Sequence, residues 1–267
     1  MKLVFHHRPE VPIEAEVITP SSLTGLSEAE VSALPLQYGS ERVPLGEFFR
    51  VSGRFDGQIL VEGDLSRVKM IGSGMSAGRI VVDGDVGMHL GVGMSGGEIL
   101  VKGNAGDWVA PDLSGGRITI HGNAGHLVGS AYRGSTLGMR GGEILIHGNA
   151  GNEVGNAMRR GLIAIGGDCG DFGGVNMRAG TLIVLGRLGS RWGASMKRGS
   201  IVSMQPAPLL PTFGYACRYE PLYLRLYLLH LGRLGMSVGE AHIEGPYRRY
   251  SGDAIETNRG EILLLDA

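Results

Sequence analysis

One short phrase, written eight times, constrains this chain more than anything else in it. The phrase is Gly57-Gln-Ile-Leu-Val-Glu-Gly63, and it returns at Gly78, Gly97, Gly116, Gly142, Gly161, Gly180 and Gly199, at spacings of 21, 19, 19, 26, 19, 19 and 19 residues. A fixed period of about 19, built on apolar and β-branched runs bounded by glycine, is the signature of a solenoid. Each phrase supplies one strand whose apolar residues alternate. After the strand come Asp64, Asp85, Asn104, Asn123, Asn149 and Asp168, residue types suited to tight turns. Further glycines follow in register, one column running Gly91, Gly129, Gly155, Gly174 and Gly193 with Ala110 standing in once. Three bends in 19 residues leave no room for a helix in each repeat, so strands alone must close it and stack about 4.8 Å apart. The fold class expected is all-β: a right-handed β-helix solenoid of about seven to eight coils. The hexapeptide rhythm of a left-handed helix is absent.

The columns of the repeat assign its faces. The second and fourth residues of each phrase, from Ile59 and Val61 to Leu182 and Val184, are expected to face inward. A second inward ladder comprises Met75, Met94, Leu113, Met139, Met158, Met177 and Met196. Methionine there is read as a deformable filler of a narrow core, with a soft-metal surface as the alternative. The outward first position alternates in charge (Arg79, Glu98, Arg117, Glu143), which favours one register. The outward third position is apolar: Leu60, Val81, Leu100, Thr119, Leu145, Ala164, Ile183 and Val202. Water is a poor neighbour for such a stripe, so the chain's own tail or a partner is expected to cover it.

The 47 glycines therefore mark bends rather than disorder. A formal net charge of −1 argues against bulk electrostatic binding of nucleic acid. Two cysteines, Cys169 and Cys217, make neither a zinc quartet nor a disulfide framework. The first ten residues lack a signal-peptide core and no apolar run reaches spanning length, so a cytoplasmic protein with no membrane contact is expected. Three segments follow. Residues 1–52 form a proline-punctuated cap, with a short helix after a Ser27/Glu30 capping box and a strand over 45–51. Residues 53–205 are the β-helix. Residues 206–267 are a tail whose run from Tyr219 to Leu234 forms a short helix, packed on the outward stripe or in a subunit interface, and whose end is another strand-like phrase.

Candidate chemistry is sparse. Seven extra residues, Tyr132–Gly138, interrupt the rhythm and must leave as a loop, which is either a contact carrying Tyr132 and Arg133 or a neutral insertion. The residue after each core methionine runs Ser76, Ser95, Ser114 and then Arg140, Arg159, Arg178 and Lys197. Four stacked cations either splay into solvent or face an anionic ligand or acidic partner surface. His121 and His147 occupy equivalent positions without an evident third ligand, so no metal is expected. Cys169 has no histidine base beside it, and no catalytic residues are assigned.

The repeat, as in Gly142 to Met158, resembles the glycine-repeat domain shared by the glutamate synthase large subunit and by the C subunits of formylmethanofuran dehydrogenase and of the formyltransferase/hydrolase complex. Arg248-Arg-Tyr-Ser-Gly-Asp253 and Asn258-Arg-Gly-Glu-Ile262 are similar to the ending of those C subunits. The resemblance implies a noncatalytic structural subunit in tetrahydromethanopterin-linked one-carbon metabolism, with no cofactor of its own. It would hold hydrolase-like A and B chains and a formyltransferase D chain together. A polyglutamyl furan carrier (a methanofuran type) is the anion it implies for the cation row. Two alternatives stay open: a free-standing glutamate synthase-like β-helix subunit, and a carbohydrate-binding β-helix, which the scarcity of exposed aromatics disfavours.

Overall fold

A computed structural model describes residues 1–266. The chain is mostly β, with few helices, and its centre is one sheet of thirteen strands, most of them parallel. The eight phrases form eight neighbouring parallel strands, from Gln58–Glu62 to Arg198–Ser203. Their registers follow the sequence columns: Ile59 lies beside Ile80, Ile80 beside Ile99, and so on to Leu182 beside Ile201. A second parallel ladder of single-residue bridges runs from Leu65 through Val86, Ala105, Ala124, Ala150 and Cys169 to Leu188. Between the two ladders the inward columns and all seven residues of the methionine ladder are buried.

The leading glycine is fixed twice over by this packing. Gly97 has φ +80°, and a Cβ there would lie 2.6 Å from the Met75 methyl of the preceding repeat. A side chain would thus meet both backbone strain and a filled core.

The sheet extends beyond the eight phrases at both ends. Lys2–Phe5 pairs in parallel with the first phrase. Arg259–Leu265 pairs in parallel with the eighth, setting Gly260 beside Gly199 and Ile262 beside Ile201. The terminal phrase is therefore a further in-register strand, separated from the others only in sequence. Phe49–Ser52 closes one edge in antiparallel fashion, while Tyr247–Gly252 and then Gly214–Tyr219 close the other. The helix Glu28–Ser32 starts with the expected capping box: the Ser27 Oγ accepts from the Glu30 N–H, and the Ser27 N–H donates to Glu30. The strand expected over 45–51 is shorter than expected. Leu45–Glu47 is a 3-10 turn, tucked where Gly46 approaches the Ser32 backbone, and only Phe49–Ser52 pairs.

The tail settles half of the question of what covers the outward stripe. Helix Leu222–Arg233 buries Leu224, Leu228 and Leu231 in one cluster with Leu145, Ala164, Ile183, Val202 and Leu263. It runs back along the stack: Tyr223 near its start donates to Glu261, and His230 near its end meets Glu143 at 2.9 Å. Leu234 then borders Leu100 and Thr119. Leu60, Leu100 and Thr119 lie beyond its reach and stay half-exposed. No helix among the described residues is long and apolar enough to cross a membrane.

Candidate functional site

The bend after the second ladder positions everything that can make a contact. It uses left-handed residues at alternate positions, as in Phe172, Gly174 and Asn176 (φ +62°, +66° and +56°) and Arg191, Gly193 and Ser195. Left-handed backbone costs a non-glycine residue on the order of 1 kcal/mol. It persists here because each bend hydrogen-bonds to the next: Asn176 N–H donates to the Ala194 carbonyl at 2.9 Å and Phe172 N–H to Ser190. Two rows of side chains support the bends. Asn104, Asn123, Asn149 and Asp168 each accept, through Oδ1, the backbone N–H one repeat further on, at 2.8 Å. The parallel row is Asp107, His126, Asn152 and Asp171, in which the Nδ1 of His126 accepts the Asn152 N–H. His126 thus does an asparagine's work.

The extra loop leaves this bend after Ala131 and is pinned at its root. The Tyr132 ring stacks on Trp108 at 4.9 Å, and its hydroxyl lies 2.9 Å from the Nδ1 of His89. Burial lowers the proton affinity of His89 and pushes the Tyr132 hydroxyl up to about 12. Neither His89 nor Trp108 was singled out from sequence as a partner of the loop. Their signal was spacing: they stand 19 residues apart in the left-handed column that Phe172 and Arg191 also occupy. Arg133, next to the anchored tyrosine, is exposed.

Two cavities adjoin along the loop. One, of about 240 Å³, is bounded by Trp108, Tyr132, Arg133 and Glu153. The other, of about 290 Å³, is bounded by Thr136, Arg178, Lys197 and Glu256, and both share Ser135, Asn156 and Asn176. The structure therefore brings together two features that were separate in the sequence, the loop and the late half of the cation row. The row itself is a backbone ladder: the N–H groups of Arg140, Arg159, Arg178 and Lys197 each donate to the core residue one repeat earlier, at 2.7 to 2.8 Å. Arg140 and Arg159 are exposed and lie outside both cavity linings. Lys197 is half committed already, with Glu256 3.6 Å away.

Elsewhere, His121 and His147 meet edge to face with ring centres 5.0 Å apart. Burial, and secondarily the neighbouring His121, lower the proton affinity of His147, whose Nε2 is buried without a partner. Among the described residues no group of three histidine, cysteine or acidic side chains stands together in metal-binding fashion. The Cys169 thiol is buried inside the second ladder and pushed up to about 12, so it is not ionised near neutrality.

Comparison with known proteins places this geometry among relatives. A family model described as the GXGXG motif matches residues 98–207. The C subunit of the molybdenum-containing formylmethanofuran dehydrogenase 1 from Methanothermobacter marburgensis is 46% identical over 84 residues, 31% of this chain and 21% of that protein. The C subunit of the formyltransferase/hydrolase complex Fhc from Methylorubrum extorquens is 38% identical over 73 residues, 27% of this chain and 28% of that one. The matched stretches thus span between a fifth and a third of these curated relatives. A chain in the crystal structure of the formyltransferase/hydrolase complex FhcABCD from Methylorubrum extorquens, in complex with methylofuran, matches end to end. It covers 100% of both chains at 34% identity, with a TM-score of 0.94.

Proposed function

We propose that this chain, which belongs to the family of C subunits of formylmethanofuran dehydrogenases and formyltransferase/hydrolase complexes, is a noncatalytic structural subunit of such a complex. The observation that carries the reading is the end-to-end likeness to a chain of the FhcABCD complex. The long ladders, read as a right-handed solenoid of seven to eight coils, make a rigid rod on which other subunits are held at fixed separation. In this reading the formyl-transferring and hydrolytic work belongs to A, B and D type chains, and this chain binds no cofactor or metal. Its own residues support that division: the Cys169 thiol is buried and protonated, and the paired histidines lack a third ligand among the described residues.

A second part of the proposal concerns the groove. Arg133, Arg178 and Lys197 line it, the neutral amides of Asn156 and Asn176 floor it, and Glu153 and Glu256 offset part of its charge. Such a surface suits a flexible anionic chain, and the related complex was crystallised with methylofuran. The groove and row (Tyr132, Arg133, Arg140, Arg159, Arg178, Lys197) are proposed to guide an anionic furan carrier or an acidic subunit surface. A salt-dependent hold is the expected consequence.

Formyl release from a formylated furan carrier, measured on the purified chain and on the assembled complex, tests the first part. The chain alone should show none and the complex should turn over; turnover by the metal-stripped chain alone overturns the reading. For the groove, the double change Arg159→Ser with Arg178→Ser should weaken carrier retention in the complex, most at low ionic strength. Unchanged retention of both carrier and subunits would remove the groove from the account.

A further inference from the structure

Along the flank of the tail helix the outer face carries a patch of like charge. Arg160, Arg198 and Arg259 each stand two residues before a side chain of that face, Leu162, Ser200 and Glu261, in the same strand. Alternation along a strand therefore sends all three outward. The Tyr223 hydroxyl donates to Glu261 at 2.9 Å, which fixes the start of helix Leu222–Arg233 beside this row. Arg198 lies directly beside Arg259 in the ladder, and Arg140 beside Arg160; all four are exposed. Cross-strand neighbours of like charge repel. The adjoining column of Arg79, Glu98, Arg117 and Glu143 alternates its charges in the same sheet. In the second to fourth phrases the arginine position holds Ala77, Gly96 and Gly115, so the cations belong to the half that the helix covers. Little in the chain relieves them. Among the described residues none of the four is paired with an acid: Glu261 is held by Arg249 at 2.8 Å and by Ser200, and Glu256 by Lys197. Glu220, exposed just before the helix, is one acid against them. The helix has no acid in its first turn and no side-chain cap, and its amino end is the positive pole of its dipole. Next to Tyr223 it presents Leu222 and Leu226 at 76% and 72% exposure.

We infer that this patch docks an acidic protein surface of another subunit, with Leu222 and Leu226 against an apolar spot there and Arg160, Arg198 and Arg259 opposite carboxylates. Apolar side chains rimmed by arginine are the ordinary make-up of a protein–protein contact. Charge selects among the occupants. A second copy brought up about a two-fold axis sets the patch against itself, arginine facing arginine. A slender anionic chain is gripped by a groove, whereas these four arginines stand outside the linings of both loop cavities, and such a chain leaves the two leucines in water. An acidic surface with an apolar centre answers both halves of the patch. From Arg160 to Arg259 the row crosses four neighbouring strands, about 14 Å, so it meets a surface rather than a single side chain. The chain as a whole carries a formal charge of −1, so cations gathered here leave the remainder acidic. A molecule polarised in this way is turned by its own field to present the patch to an acidic partner.

The inference rests on the reading of this chain as a subunit of a larger complex, and the two fail separately. A tagged wild-type chain, coexpressed with the other subunits, should retain them; failure to do so overturns both. Arg198→Glu with Arg259→Glu should weaken that retention at least about tenfold at low ionic strength, and added salt should loosen the wild type more than the variant. Arg42→Glu with Arg54→Glu, the same charge change at the other end of the stack, should retain the subunits as the wild type does. Arg259→Glu alone turns a like pair into an opposite one at an exposed position, so the isolated chain should melt no lower than wild type. Arg198→Lys with Arg259→Lys keeps the charge and gives a second measurement. A carbodiimide condenses an amine with a carboxylate to an amide, taking up the water as a urea, and should join these positions to an Asp or Glu of another subunit. Undiminished retention by the charge-reversed pair, an equal loss in the Arg42 and Arg54 control, a cross-link to a second copy of this chain instead of another subunit, or loss of the furan carrier with every subunit retained would each overturn the inference.

Discussion

The early and late halves of the outward face are built on one repeat and have different fates. Leu100 and Ile183 hold the same position in their phrases and point the same way from the sheet, yet Leu100 is half-exposed and Ile183 is fully buried under the tail helix. The strands beneath are indistinguishable in register. What differs is the company each residue keeps. From the second to the fifth phrase the first position is charged, and Arg117 lies between Glu98 and Glu143 in a ladder of ion pairs. From the sixth phrase onward it becomes Leu162, Thr181 and Ser200, and Leu162 and Thr181 are buried. The fifth phrase position shifts likewise, from Asp83 and Lys102 to Leu185 and Met204. A helix cannot settle over charges that would lose water without gaining partners, so the sequence changed where the helix lands. The inward face did not need to change, because every repeat packs against the same neighbours.

Three substitutions sharpen or break this contrast. Leu145→Asp sets a carboxylate beneath the helix and should cost at least about 3 kcal/mol, seen as a lowered denaturation midpoint. Leu100→Asp, at the equivalent early position, should leave the stability of the monomer within about 0.5 kcal/mol. Equal losses at both sites would mean that the two halves are covered alike. Leu228→Ala removes a fully buried side chain of the helix and should cost about 2 to 4 kcal/mol. Because that loss falls on the tail, limited proteolysis should cut near residues 206–221 before the repeats open; simultaneous loss of both would show that tail and sheet unfold as one.

Smaller effects test what the halves share. Asn149→Ala removes the acceptor of the Asp168 N–H and should cost about 1 kcal/mol, as should the same change at Asn104 in the early half. A clear difference between the two would show that the amide row is not uniform along the stack. The smallest effect is a pH dependence at the boundary between the halves. The folded protein binds a proton at His147 less readily than the unfolded chain, whose value is near 6.5. Below that pH the unfolded state holds more protons, so stability is fully present at higher pH and falls as pH drops through about 6.5. His147→Leu should flatten that part of the curve in thermal melts between pH 5 and pH 8, and an unaltered slope would assign it to His89 or His242, which burial shifts the same way.

Much of the fold was legible because a repeat makes its register readable: glycine, aliphatic pair and core methionine recur, and their burial follows. The candidate site was legible only in pieces. Arg178 and Lys197 were visible as a row and Tyr132 as part of an insertion. That these line adjoining cavities depends on the direction in which the loop lies, which no periodicity specifies. His89 and Trp108 escaped notice because an aromatic pair 43 and 24 residues before its tyrosine has no local signature. The 3-10 turn at Leu45–Glu47 was missed for a related reason: an apolar run beside a proline reads as a strand until a helix is known to crowd it.

What the sequence determined by itself is therefore whatever each repeat decides with its neighbours, namely strand, register, inward ladders and the asparagine rows. Those contacts are set by spacings of 19 to 26 residues, and the same spacing carries them from one phrase to the next. Only the tertiary structure decided where the tail returns, which half of the outer face it shelters, and that Arg259–Leu265 joins the sheet beside the eighth phrase. Those outcomes depend on apolar burial between segments that the repeat period does not relate, from Val202 against Leu224 to Leu145 against Leu231. Burial of that kind is non-directional, so it rewards any covering of the stripe and is resolved only by the shape of the surfaces that meet.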